Sequence, residues 1–406
     1  MAAKMDARSF GLLRGYLHRY RWHLAAGMIA LIGVDGLQIL VPWLVKMAID
    51  LLTHPPVQHS RLITIGVVIM LLGLGVGCTR FVWRYFIIGF SRRLEEDLRN
   101  RLYQHLQRLS FAYFDRTAAG DLMAHATNDL EAVRMMCGMA LVASMDALVL
   151  MVASMVMMLS INAGLTAYVL IPMPFVTATI LYLGPRLHGH FKKVQEDFSN
   201  ITQKAQETFA GVRVVKSFVQ EEAESDNFRS LNKEYIRSNM RLVLVWGFMH
   251  PVIWTISGIC SVIILWVGGE RVISARMTMG DFVAFNSYLG LLIWPMIAVG
   301  WVTNLYQRGK ASLERLHAIF QVEPDIVEAP DAYDGPLTGT IEFRNLSFAY
   351  NGGPQVLKSI DLVIEPGQWV VVMGATGSAK TTLVNLIGRC YDPPPGALFV
   401  DGRDVR

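Results

Sequence analysis

The chain has 406 residues, a formal net charge of +4, 53% hydrophobic residues and 17% charged ones, with a mean hydropathy of +0.36. Soluble domains carry about 25% charged residues, so the deficit argues against an ordinary soluble protein and for a membrane one. The small positive excess sits in loops between apolar blocks and gives no reason to expect a nucleic-acid partner.

The N-terminus shows no short apolar stretch ending in a small-residue cleavage site. It reads "RSFGLLRGYLHRYRW", with Phe10, Leu13, Leu17 and Tyr20 on one helical face and Arg14 and Arg21 off it. That pattern predicts a helix on the membrane surface or a cytoplasmic extension of the first span. Six apolar blocks follow, near 23–50, 62–88, 138–161, 163–184, 243–269 and 281–306. Each reaches the roughly 20 residues that cross a bilayer. Five Lys and Arg precede the first block, seven lie in 91–136 and ten in 185–242, against Arg61, Arg271 and Arg276, with Lys46 a possible fourth, on the other side. By the positive-inside rule both termini are cytoplasmic.

Within the blocks, Asp35 and Gln38 fall in the first span, Asp146 in the third and Asn286 in the sixth. An ionisable group at membrane depth is a functional candidate, so Asp35 and Asp146 either line a translocation cavity or pair with a neighbouring helix. Arg80 and Arg84 are placed to snorkel to the interface. The Met-rich run "MVASMVMM" at 151–158 suits an adaptable cavity or ordinary packing. Pro172, Pro174, Pro251 and Pro295 should kink their helices. Cys78, Cys137, Cys260 and Cys390 show no C-x-x-C spacing and read as small apolar residues.

The outer connections are short, near 51–61, 162–163 and 270–280, while the inner ones, near 89–137 and 185–242, are long. Residues 91–110 place Leu94, Leu98, Leu102 and Leu106 at steps of four, with Glu95 four residues before Arg99, which predicts a helix. Residues 191–209 have the same character.

Composition changes at 323–338, "EPDIVEAPDAYDGPLT", where acidic-proline steps and a D-G predict a linker between a domain at 1–322 and another at 339–406. Beyond it, "TIEFRNLSFAY" alternates as a strand, "QVLKSIDLVIEPG" reads as strand and turn, and "QWVVVMG" at 368–374 reads as a strand buried on both faces of a parallel or mixed sheet. The next residues, Gly374-Ala375-Thr376-Gly377-Ser378-Ala379-Lys380-Thr381, follow the phosphate-binding pattern G-x-x-x-x-G-K-[ST] at every fixed position but one. Glycines let backbone N–H groups turn toward phosphates, the lysine reaches the β- and γ-phosphates, the hydroxyl binds Mg²⁺, and the following helix adds its positive end. Ala379 stands where the pattern has glycine, and its Cβ threatens a clash or a forbidden φ.

With these motifs in order the chain resembles the ATP-binding cassette exporters, over about residues 10–406. The resemblance implies a half-transporter: a six-helix all-α membrane domain followed by an α/β P-loop nucleotide-binding domain. Tyr350 matches the aromatic that stacks on adenine, and the nucleotide set becomes Tyr350, Gly374, Thr376, Gly377, Ser378, Ala379, Lys380, Thr381 and Thr382, holding ATP with Mg²⁺ on Thr381. "FAYFDRTAAGDLMAHATNDLEAVR" at 111–134 resembles the first coupling segment, with Phe114, Asp115, Gly120, Asp121, Asn128 and Asp129 in place; "ETFAGVRVVKSFVQEE" at 207–222 resembles the second, with Glu207, Gly211, Val215, Lys216 and Phe218. The sixth span is similar to that of bacterial multidrug-resistance-like halves that work as heterodimers in the cytoplasmic (inner) membrane. The implied activity is ATP-driven export of hydrophobic or amphipathic compounds, drugs or lipids. The family's glutamine loop, signature, acidic Mg²⁺ and base pair, and switch histidine do not follow Asp401-Gly402, so residues 339–406 are an incomplete nucleotide-binding domain and no ATP hydrolysis by this chain alone is expected. The alternatives are a piece of a longer protein, or a truncated or degenerate non-catalytic subunit that pairs with an intact half.

Overall fold

The computed structural model describes residues 2–53, 58–329, 332–350 and 352–406, and all of their side chains except those of 2–10, 181 and 250. The connection expected at 51–61 and the linker expected at 323–338 fall partly outside these residues, and Phe10 of the expected surface face lies outside the described side chains. In chain order the first helices are α1 (Ala2–Arg19), α2 (Arg21–Thr53), α3 (His59–Trp83), α4 (Gly89–Arg108), α5 (Phe111–Arg116), α6 (Ala119–Ala124) and α7 (Leu130–Met135). Then come α8 (Leu141–Leu170), α9 (Met173–Ala210), α10 (Val212–Ser217), α11 (Glu221–Ile263), α12 (Gly269–Ile273) and α13 (Met279–Phe320). The last elements are β1 (Ile341–Ala349), β2 (Gln355–Ile364), α14 (Lys380–Ile387), β3 (Leu398–Val400) and β4 (Arg403–Asp404). The chain forms two compact units, one of Arg19–Ser91 with Met135–Gln307, the other of residues 1–18, 92–134 and 308–406.

The first unit is helical. Among the described residues, five stretches are long and apolar enough to cross a membrane: Arg21–Thr53, His59–Arg108, Ala119–Leu170, Glu221–Ile273 and Met279–Phe320. In the block expected over 163–184, where Pro172 and Pro174 should kink the helix, the stretch parts at Ile171–Pro172 between α8 and α9. Pro172 has no N–H to donate and Pro174 follows two residues later, so the ladder cannot run through. The turn expected at 162–163 reduces to Asn162, extended at φ −161° and ψ 100° inside α8. Its Oδ1 accepts the Leu165 amide at 3.0 Å and a bond from Arg271 Nη1.

Met158, Leu165, Val169, Cys260, Ile264, Phe285 and Tyr288 make the buried centre of this unit. Met151 is exposed, so the methionine run divides between core and surface. Lipid tails are as apolar as these side chains, so helix association rests on close packing and interhelical hydrogen bonds. Gly27 shows the first: a Cβ there would lie 2.4 Å from Ile87 Cγ1. Tyr288 shows the second, its buried hydroxyl donating to the Ile39 carbonyl at 3.0 Å, a bond of about 1 kcal/mol in this setting. The start of α13 is capped reciprocally. Thr278 Oγ1 accepts the Asp281 amide at 2.9 Å, and Asp281 Oδ2 accepts the Thr278 amide at 3.2 Å. Lys46 pairs with Asp281 at 2.5 Å and Asp50 accepts the Gly280 amide at 3.0 Å.

In the second unit, α4 buries Leu94, Leu98 and Leu102, as their spacing predicts. Glu95 accepts from Arg99 at 2.6 Å and pairs with Arg134 at 3.2 Å. Asp129, only 6% exposed, accepts from Arg315 Nε at 3.0 Å and Nη2 at 2.5 Å and lies 2.6 Å from His125 Nδ1. The sheet is antiparallel throughout, in the order β2-β1-β3-β4. Phe343, Leu346, Phe348, Leu357 and Leu398 pack on Leu383 and Leu386 of α14.

The expectation of a doubly buried strand at 368–374 is corrected. These residues join no ladder, and Trp369, Val371 and Met373 are 96%, 79% and 87% exposed. An apolar run is buried as a strand only where neighbouring strands flank it, and this sheet pairs other segments.

Asp401 holds the entry to β1. Its carboxylate accepts from Thr338 Oγ1 at 2.5 Å, and from the amides of Thr338, Gly339 and Thr340 at 2.6, 3.0 and 2.9 Å. The Thr338 hydroxyl first, and then these amides, hold its carboxyl below the ordinary carboxylate range.

Two outcomes are expected. Arg315→Ala leaves Asp129 buried without its main partner and lowers stability by about 1–3 kcal/mol, read as thermal unfolding in detergent; Asp129→Asn in that background restores part of the loss. Asp401→Asn speeds amide exchange at 338–340. Because the carboxyl titrates lower in the folded protein, its contribution is complete above the ordinary carboxylate value and fades as pH falls through the lowered one. The exchange difference between variant and wild type should therefore vanish only in acid.

Candidate functional site

The loop between residue 373 and α14 is built by backbone conformation. Gly377 has φ +87°, in the left-handed region that glycine tolerates. A Cβ on Gly374 would lie 2.7 Å from Ser378 Oγ, so that hydroxyl would have to turn away. The Ser378 amide closes the turn onto the Ala375 carbonyl at 3.2 Å. Ala379 takes φ +61° and ψ +25° as the residue before α14. The left-handed conformation is thus adopted despite the Cβ, at a cost of about 1–2 kcal/mol.

The first intrahelical bond of α14 runs from the Leu383 amide to the Ala379 carbonyl at 3.2 Å. The amides of Lys380, Thr381 and Thr382 therefore sit at the open, positive end of the helix. Lys380 folds over the loop, its Nζ donating to the carbonyls of Gly374 and Ala375 at 2.9 and 2.8 Å and to Ser378 Oγ at 3.4 Å. These acceptors are neutral. A phosphate oxygen is a charged acceptor and makes the stronger bond, so the ammonium, the open amides and the left-handed turn fit a phosphate chain. Thr381 is exposed on the first turn of α14, while the Thr382 side chain is buried. Tyr350 donates its hydroxyl to Thr382 Oγ1 at 2.8 Å and packs edge-on against Phe348 and Tyr391, with centroids at 5.1 and 5.0 Å.

The first coupling segment meets this fold within the same unit. Asp115 Oδ2 accepts from the Tyr391 hydroxyl at 2.8 Å, and the Phe111 ring lies 6.2 Å from that of Tyr391. Ser110 donates to Asp325 at 3.0 Å. Burial first, and then the Asp115 carboxylate, pushes the Tyr391 phenol up to about 12, so it stays a donor at physiological pH. Phe114 is partly exposed, its ring 5.5 Å from Tyr113. Gly120 and Asp121 lie in the first turn of α6, and Asn128 and Asp129 in a π-helical turn over His125–Asp129.

The second segment belongs to the other unit. There the Gly211 amide donates to the Glu207 carbonyl at 2.8 Å, and a Cβ on Gly211 would lie 3.1 Å from that oxygen. Lys216 Nζ bonds Glu221 at 2.9 Å, and Phe218 is 70% exposed. In that unit too, Asp35 is fully buried and Asp146 accepts from Trp294 Nε1 at 3.0 Å.

Sequence reasoning missed Tyr391 and Arg315. No motif spacing marks either one, because each acts through a residue distant in sequence, Asp115 and Asp129. The i,i+4 spacing of His125 and Asp129 was the one local signal for that cluster.

Comparison with known proteins adds to this geometry. The ABC transporter transmembrane region matches residues 24–296, and the ABC transporter domain matches 357–406. The probable multidrug resistance ABC transporter ATP-binding/permease protein YheI of Bacillus subtilis (strain 168) is 29% identical over 395 residues, 97% of this chain and 68% of its own length. The multidrug resistance-like ATP-binding protein MdlA of Escherichia coli (strain K12) is 31% identical over 400 residues, 96% of this chain and 66% of its own. An ATP-dependent lipid A-core flippase of Syntrophus aciditrophicus (strain SB) is 30% identical over 385 residues, 94% of this chain and 63% of its own. The chain thus spans about two thirds of the length of these relatives. With a transmembrane region followed on one chain by an ATP-binding region, this multi-pass membrane protein belongs to the ABC transporter family and has the plan of an exporter half-transporter.

Proposed function

We propose that the chain is one half of an ATP-driven exporter that moves hydrophobic or amphipathic compounds, drugs or lipids, across the cytoplasmic membrane. The observation that carries this reading is the loop at 374–381, where Lys380 folds beside the open end of α14, on the same chain as the apolar helices. The names of its relatives, multidrug transporters and a lipid A-core flippase, support the substrate class.

In this reading Lys380 and the amides of 376–382 hold the ATP phosphates, Thr381 supplies a ligand to Mg²⁺ and Tyr350 supports the adenine. The Tyr350 hydroxyl is tied to Thr382, so base and phosphate sites are joined by one bond. Asp115 and Phe111, against Tyr391, carry motion of the nucleotide fold into the first coupling segment; Glu207, Gly211, Lys216 and Phe218 serve the second. Domains at 1–322 and 339–406, six spans, cytoplasmic termini and a second half as a heterodimeric partner complete the proposal.

Photolabelling with an azido-ATP analogue tests the site. The wild-type chain should label, and Lys380→Ala should lose the label; equal labelling of the two would refute the assignment. Ala379→Gly removes the left-handed cost of about 1–2 kcal/mol and should raise both nucleotide affinity and the melting temperature. Unchanged affinity would show that Ala379 does not limit binding.

A further inference from the structure

A cavity of about 490 Å³ opens between α9, α11 and α13, within one unit of the chain. Gly184, His188 and Phe191 of α9 line it, with Val243 and Trp246 of α11 and Asn304 of α13. None of the residues assigned to nucleotide or coupling belongs to it. Ligand pockets run from about 300 to 1,000 Å³, so there is room for a sizeable apolar group. The positions mark a depth. Gly184 ends the apolar block 163–184, Val243 begins 243–269, and Asn304 lies just before the end of 281–306. A tryptophan one turn inside the end of such a block sits at headgroup level, its ring apolar and its N–H polar. Phe191, Val243 and Trp246 are each about half exposed. Apolar side chains exposed at that depth suit hydrocarbon, so the cavity draws its occupant from the bilayer.

The charge around the cavity has one sign. Residues 183–195 and 235–246 hold Arg186, Lys192, Lys193, Arg237 and Arg241 and no Asp or Glu. Arg186 lies over the Tyr182 ring at 3.7 Å, and Lys193 pairs with Asp197 at 3.0 Å. Lys192 stands one helical turn past His188, on a neighbouring position of the same face, and is exposed. Basic residues beside the end of an apolar helix attract anionic headgroups, and a phosphate is a strong acceptor for N–H donors such as those of His188, Lys192 and Asn304. We propose that this cavity binds one anionic membrane lipid, with a chain against Phe191, Val243 and Trp246 and its phosphate toward His188 and Lys192. The site rests on the membrane placement of these helices and goes beyond the exporter reading, which it does not require.

The test is photo-crosslinking in phosphatidylcholine vesicles, without nucleotide, using phosphatidylglycerol with a diazirine in its acyl chain. The label should map to the peptides that hold 184–191 and 242–246. Unlabelled phosphatidylglycerol should displace it, and the same amount of added phosphatidylcholine should not. A Cβ on Gly184 meets nothing within 4 Å, so Gly184→Leu fills the cavity without a clash and favours the helix over glycine. It should lose the label at these peptides and keep any background elsewhere. Lys192→Ala should lower the label about fivefold and leave crosslinking by the matching phosphatidylcholine probe unchanged. Label spread evenly over the membrane helices, undiminished label in Gly184→Leu, or equal displacement by phosphatidylcholine would overturn the proposal. Should Gly184→Leu fail to reach the membrane, the wild-type map and Lys192→Ala decide. The assay involves neither ATP nor transport, so its failure is separate from failure of the exporter reading.

Discussion

Hydrocarbon offers the peptide backbone no hydrogen-bond partner, and every N–H and C=O at membrane depth must find one within the chain. That constraint governs the unit built from Arg19–Ser91 and Met135–Gln307. Its apolar blocks become helices because a helix satisfies its own backbone. At two of its interruptions side chains make up the loss. At Asn162 the extended residue breaks the ladder, and its own side chain takes the Leu165 amide and a bond from Arg271. At the start of α13, Thr278, Asp281 and Asp50 serve the first amides. Tyr288 meets the same need with a side chain, its buried hydroxyl bonded to a backbone carbonyl of another helix.

The same accounting explains the shape of the phosphate loop. Lys380 uses its ammonium on two carbonyls and a hydroxyl of its own loop. Those bonds keep the loop closed on itself. The strain lies in one residue: Ala379 takes the left-handed turn that glycine would take without cost. Its departure from the motif is therefore energetic and leaves the geometry in place.

In the second unit, two tyrosines and an aspartate bring together elements distant in sequence. Tyr350 follows β1 and bonds α14, Tyr391 packs on Tyr350, and Asp115 receives the Tyr391 hydroxyl. The side chains of Thr382, Tyr350, Tyr391 and Asp115 thus form one continuous series of contacts. Asp129 anchors the same segment to the C-terminal part of α13 through Arg315.

The apolar blocks, the helix at 91–110, the alternating strands β1 and β2 and the phosphate loop were legible in the sequence, because each is set by local periodicity or by a fixed spacing of glycine, lysine and threonine. Leu94, Leu98 and Leu102 turn inward as their spacing requires. The run at 369–373 was legible as apolar and misleading as a strand, since burial of a strand depends on neighbours that its own residues do not specify. The break at Ile171–Pro172 lay in the prolines, yet only the folded helix shows where the ladder yields. The partners of the polar groups were decided by tertiary structure alone: Tyr391 for Asp115, Arg315 for Asp129, Thr338 for Asp401, Trp294 for Asp146. A side chain's hydrogen-bonding capacity is fixed by its chemistry, but its partner is fixed by which helices and turns the fold brings within about 3 Å of it.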